Sequence, residues 1–159
     1  MNCLSEADET HLLTLKVSEP SGEGKLETIL KQMEKEFKGI TFDIKPKEKK
    51  LAPLEIILDI SIKVATGLGT AALIKFLERL WRELKRNELT PQIHGLDAVQ
   101  SFAERYLQSI WVKEFKILMR KDKGPYVQFL FRDKKGCKHI IVVTTFDLKI
   151  LTYERKEGV

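Results

Sequence analysis

The sequence predicts an α+β protein: an N-terminal β-α-β unit, a long central helix, a second helix and a C-terminal four-stranded antiparallel meander. Three observations predict it. Residues 11–45 pass from alternating apolar positions to helical spacing and back to alternation. Residues 53–86 carry a long apolar and then amphipathic run. From residue 113 onward, four short strand-like segments are separated by turn residues. Helices segregated from an antiparallel meander define the α+β class.

The first segment, "HLLTLKV", puts Leu13, Leu15 and Val17 on one strand face. "SEPSGEG" (18–24) reads as a loop of turn residues. Leu26, Ile29, Leu30, Met33 and Phe37 then recur at helical spacing, with Lys and Glu on the other side. Gly39 stands where a helix-ending glycine belongs. "ITFDIKP" alternates Ile40, Phe42 and Ile44 against Thr41, Asp43 and Lys45. If these two strands share a sheet in parallel, the crossover should be right-handed. "SGEG" lacks both the spacing and the Lys-Ser/Thr of a phosphate-binding loop. The charged run "KPKEKK" (45–50) reads as a linker. It divides the chain into a β-α-β lobe over 1–46 and a helical segment plus meander over 51–159, which can pack as one domain.

Pro53 suits the first turn of the long helix, which is expected to reach Lys85 or Arg86. Its halves disagree. In the apolar first half, Glu55, Asp59 and Lys63 form an i, i+4, i+8 ladder. After Gly69, the stripe of Leu73, Phe76, Leu77, Leu80, Trp81 and Leu84 falls in the sector that ladder occupied, a swing of roughly 140°. Either a continuous helix buries its halves against different neighbours, or it bends or breaks at Gly67–Gly69, each glycine weakening a helix by about 1 kcal/mol. Both cases leave surplus apolar surface before Gly67. Ile56, Ile57, Ile60, Val64, Leu68 and Ala71 are therefore expected to meet a second copy or a protein partner, and the small residues nearby allow close backbone approach. A membrane span is not expected: the longest run free of formal charge is Val64–Ile74, and a span needs about 20 apolar residues.

"NELTPQIHG" is a turn region. "LDAVQSFAERYLQSI" is the second helix, with Leu96, Val99, Phe102, Ala103, Tyr106, Leu107 and Ile110 on one side. The strands are "KEFKILMRK", "YVQFLFRD", "KHIIVVTT" and "LKILTYER". "IIVV" is apolar on both faces, which suits a central strand. Phe129 and Phe131 are expected inward, Tyr126 and Tyr153 outward.

The chain of 159 residues can bury a core without disulfides or metal. Its two cysteines, Cys3 and Cys137, cannot frame a disulfide scaffold, and residues 1–11 lack an apolar signal segment. A cytoplasmic setting is the expectation. Abundant Lys and Glu with scarce Asn accord with a thermophilic source. The net charge of +5 gathers late: residues 113–159 hold twelve bases against six acids. The basic patch centres on Lys134, Lys135 and Lys138, and suits nucleic acid or an anionic membrane surface.

No nucleophile, base and acid stand at a catalytic spacing around His11, His94 or His139. Cys137 and His139 share a strand face but lack two further soft ligands for zinc, so they read as a half-buried Cys and a surface His. Asp122 and Asp133 are explained as turn formers. No metal, cofactor or enzymatic role is expected. The sequence points first to an interaction or oligomerisation module using the Gly/Ala-containing helix, and second to a basic surface for nucleic acid or anionic lipid.

Overall fold

The alternating residues of the first segment form β1 (Glu9–Val17), and helical spacing forms α1 (Pro20–Glu36). The computed structural model describes residues 9–17, 20–49 and 56–158, with backbone alone at 20, 21, 46–49 and 56. α1 begins inside "SEPSGEG", so the loop there is shorter than expected. Gly39 follows α1 with φ +93°, a conformation that disfavours a side chain. β2 (Ile40–Lys49) runs on through most of "KPKEKK".

The long central helix is not formed. Its first half is a strand, β3 (Ile56–Val64), and only its second half is helical, α2 (Thr70–Arg86). Gly67 and Gly69, at φ +87° and +89°, turn the chain from one into the other. In β3, Leu58, Ile60, Ile62 and Val64 alternate inward against Asp59, Ser61 and Lys63. Five β-branched residues in β3 favour a strand. The Asp59–Lys63 spacing of four lies on one face of a helix and on one face of a strand alike. On the strand, Asp59 Oδ1 accepts the Thr14 hydroxyl at 2.7 Å from the paired β1 position.

β3 is antiparallel to both β1 and β2, and the two-residue β4 (Thr90–Pro91) pairs antiparallel with β1, giving the order β2-β3-β1-β4. The unit is thus β-α-β-β-α-β in a split, ferredoxin-like arrangement. β1 and β2 therefore run parallel, with β3 inserted between them. The apolar stripes of α1 (Leu26, Ile29, Leu30, Met33) and α2 (Leu73, Phe76, Leu77, Leu80, Leu84) are buried with the inward face of this sheet. Phe76 meets Phe37 and Phe42 at ring-centroid distances of 5.4 Å each. Arg79 of α2 donates to Glu36 at the end of α1 at 2.7 Å.

The chain divides into two compact units, at Gln92 and Ile93. The boundary expected at 46–51 instead falls on the end of β2, which pairs with β3 in one sheet. The second unit holds α3 (Leu96–Ser109) and the antiparallel meander β5 (Phe115–Asp122), β6 (Tyr126–Asp133), β7 (Lys138–Thr144) and β8 (Ile150–Lys156), in that order. Val99, Ala103 and Leu107 of α3 pack on Val127, Phe129, Phe131, Ile141 and Val143. Tyr126, expected outward, is buried, and Tyr153 lies half-buried against Tyr106 of α3. No helix among the described residues is long and apolar enough to cross a membrane.

Candidate functional site

The expected interface residues lie mostly inside the first unit. Ile57, Ile60 and Val64 are buried in its core, Leu68 is half-buried in the β3–α2 turn, and Ala71 is exposed at the start of α2. Of Ile56 only the backbone, in β3, is described. The surplus apolar surface that motivated an interface is therefore covered by the chain's own sheet and helices.

The basic patch leads elsewhere. Lys134 and Lys135 form the tip of the β6–β7 hairpin, whose turn is built by Asp133. One carboxylate oxygen of Asp133, Oδ1, accepts the backbone N–H groups of Lys135 (2.9 Å) and Cys137 (3.0 Å), while Gly136 takes φ +90°. The Lys134 N–H donates to the Glu114 carbonyl at 3.2 Å, and its ammonium pairs with the Glu114 carboxylate at 3.2 Å. The hairpin tip is thus tied to the segment that leaves α3.

That segment carries the least expected side chain. α3 ends at the C-cap Ile110; the Trp111 N–H donates to Gln108 O (3.1 Å) and the Val112 N–H to Leu107 O (2.9 Å). This is a Schellman ending, in which the residue at the Trp111 position adopts the left-handed conformation and is usually glycine. Trp111 has φ +73° and is 82% exposed. The Lys113 ammonium lies 5.9 Å from its ring centroid.

Between the α3 exit and the hairpin lies a cavity of about 490 Å³, bordered by Trp111, Lys113, Lys134, Lys135, His139, Tyr153 and Arg155 among others. Its inner wall is a hydrogen-bonded chain. His139, 1% exposed, has Nε2 at 2.9 Å from Asp133 Oδ2 and Nδ1 at 2.8 Å from the Tyr153 hydroxyl. The hydrogen bond to His139 holds the Asp133 carboxyl below its ordinary value; burial opposes it, and the two turn N–H groups reinforce it. Burial pushes the Tyr153 phenol up, against the pull of the Arg155 charge. Arg155 donates to Cys137 Sγ at 3.4 Å, and this bond, with Glu157 beside it, keeps the guanidinium charged.

No protein-family model and no curated protein matches this chain.

The basic surface continues past the cavity. A second hollow of about 380 Å³ shares Glu114, Asp133 and Lys134 with the first and adds Lys116 and Arg132. On the other face of the sheet from His139 and Arg155, strand register sets Lys116, Arg132, Lys138 and Lys156 directly opposite one another across all four strands. Like charges so placed repel and destabilise a sheet; among the described residues, Lys156 alone of these four cations pairs with an acid, Glu154 at 3.7 Å. The structure thus brings Lys134 and Lys135 to the cavity and places Lys138 in the cationic row. Among the described residues no three His, Cys, Asp or Glu side chains gather as a metal site requires.

The sequence did not single out Trp111, Arg155 or the Asp133–His139–Tyr153 chain. The signal for the chain was the hairpin register. With Asp133 opposite Cys137 at the turn, Phe131 falls opposite His139, and His139 opposite Arg155. Asp133 and Tyr153 then become the diagonal, same-face neighbours of His139.

Proposed function

We propose that the second unit is a binding module for single-stranded nucleic acid, and that it works without covalent chemistry. The observation that carries this reading is Trp111: a fully presented aromatic ring, in a backbone conformation that favours glycine, at the mouth of a cavity bordered by Lys113, Lys134, Lys135 and Arg155. An aromatic face beside cations is what a base and its phosphate require together. A compact anion would need only the cations. The adjoining hollow, with Lys116 and Arg132, extends the cationic surface beyond one nucleotide, which favours a polymer. A concave site with a polar inner wall suits an inserted base better than a lipid surface, which calls for a convex or flat amphipathic face.

The Asp133–His139–Tyr153 chain has the connectivity of a hydrolase relay. It ends, however, in a phenol that burial holds protonated, a poor nucleophile. This supports recognition rather than catalysis.

The test is fluorescence anisotropy with a labelled single-stranded RNA over a salt series. Binding should weaken steeply with salt, with a log–log slope of roughly 0.7 per phosphate contacted. Reversing Lys134 and Lys135, which border the cavity, to Glu should abolish it and flatten the slope. A wild-type protein that ignores both RNA and DNA strands at low salt, or binds only anionic vesicles, would sink the reading.

A further inference from the structure

The inner wall of the cavity fixes where one proton sits. Asp133 is an ionised carboxylate that can only accept, so Nε2 of His139 carries the hydrogen of their 2.9 Å bond. A neutral imidazole then has Nδ1 as its acceptor. The 2.8 Å contact between Nδ1 and the Tyr153 hydroxyl is accordingly O–H donating to Nδ1. His139 is buried and its ring stacks near-parallel to that of Tyr153 at 5.9 Å, so the pair is held in this arrangement. With its single hydrogen committed, the Tyr153 hydroxyl has only lone pairs left for a ligand. A phosphate oxygen, which has no hydrogen, is repelled there. A group that donates is welcomed.

We infer that this site prefers RNA to DNA, because Tyr153 accepts a hydrogen bond from the ribose 2′-hydroxyl of the nucleotide whose base stacks on Trp111. The inference rests on the nucleic-acid reading above. The division of labour follows from the chemistry: Lys134, Lys135 and Arg155 meet phosphate, Trp111 meets the base face, and Tyr153 meets the sugar. Only the last contact separates the two nucleic acids, since the 2′-hydroxyl is their difference at a given base. Tyr153 is on this view a specificity-determining residue, and His139 and Asp133 are positioning residues that dictate which way its hydrogen points.

The experiment compares oligouridylate with oligodeoxyuridylate, which share the base and backbone charge. One neutral hydrogen bond predicts that the wild-type protein binds the ribose strand roughly fivefold more tightly. Tyr153→Phe should bring the ratio of ribose to deoxyribose affinity down to about one, with circular dichroism reporting that the variant is folded. A third strand, 2′-fluoro-uridylate, keeps a ribose-like pucker but has no donor, so the wild type should bind it like the deoxy strand. That arm needs no variant and decides the matter if Tyr153→Phe fails to fold. Equal affinity of the wild type for ribose and deoxyribose strands overturns the inference and leaves the nucleic-acid reading standing. So does a ribose preference that survives Tyr153→Phe, or one that the 2′-fluoro strand reproduces. Failure of the wild type to bind any of the strands at low salt overturns the underlying reading instead.

Discussion

Trp111 occupies a backbone position that most helices give to glycine, and this makes its two possible roles separable. A bulky residue in the left-handed region costs about 1 kcal/mol. Folding alone therefore favours Trp111→Gly, which keeps the Schellman hydrogen bonds and removes the strain. The ring is 82% exposed, so little buried apolar area is lost with it. Trp111→Gly should leave thermal stability equal or slightly raised, while RNA affinity falls at least fivefold, given roughly 1–3 kcal/mol per stacked base. Calorimetry and anisotropy on the same sample check both halves. A variant that is clearly less stable would mean the ring supports the fold, and one that binds normally would remove it from the site. At this scale the sequence was partly legible. The lysines at 134 and 135 stood out by charge, and a turn role for Asp133 was evident. The second carboxylate oxygen of Asp133, which reaches His139, becomes visible only when the hairpin register is drawn across three strands.

Among elements, β3 shows how a sequence can satisfy two periodicities at once. Acidic and basic residues at 55, 59 and 63 are four apart, and four is both a whole number of strand alternations and nearly one helical turn. The deciding features are the even-numbered apolar positions from Leu58 to Val64 and the excess of isoleucine, both of which favour a strand. A strand between two neighbours also explains the dense apolar content without any partner protein. Ile60 sits opposite Leu13 of β1 and Ile44 of β2 and is fully buried. Ile60→Asp should therefore destabilise the first unit by about 3 kcal/mol or more, because it buries an unpaired charge in an apolar sheet face. Denaturant unfolding of the first unit measures this. If the variant instead keeps its unfolding midpoint and only dissociates from a larger assembly, Ile60 belongs to an interface rather than to the core. α1, α3 and the meander strands were legible because each has one unambiguous period and a turn signal at its end. β4 was not: two residues, one of them proline, carry no period.

At the scale of the whole molecule, the chain does not divide where its composition suggests. A run of lysines looks like a linker because it is polar, but an edge strand is also polar, and Lys-rich edges discourage unwanted strand pairing. β2 is such an edge, so the charge run at 45–50 belongs largely to a sheet. The true division follows β4, in a short turn region without any marked composition. Its position has a functional consequence. All residues bordering both hollows, Trp111, the Asp133–His139–Tyr153 chain and the cationic row lie after Ile93, and the second unit has its own helix, complete meander and apolar cluster. Residues 93–159 expressed alone should therefore fold and bind single-stranded RNA within about twofold of the full chain, a difference of only ~0.4 kcal/mol. A domain of this size is marginal, so its melting temperature should be modest while its transition stays cooperative. Circular dichroism melting and anisotropy provide the check. A fragment that melts cooperatively but has lost RNA binding would show that the first unit contributes directly to the site, whereas retained affinity would confine recognition to the α3 exit, the β6–β7 hairpin and the strands beneath them.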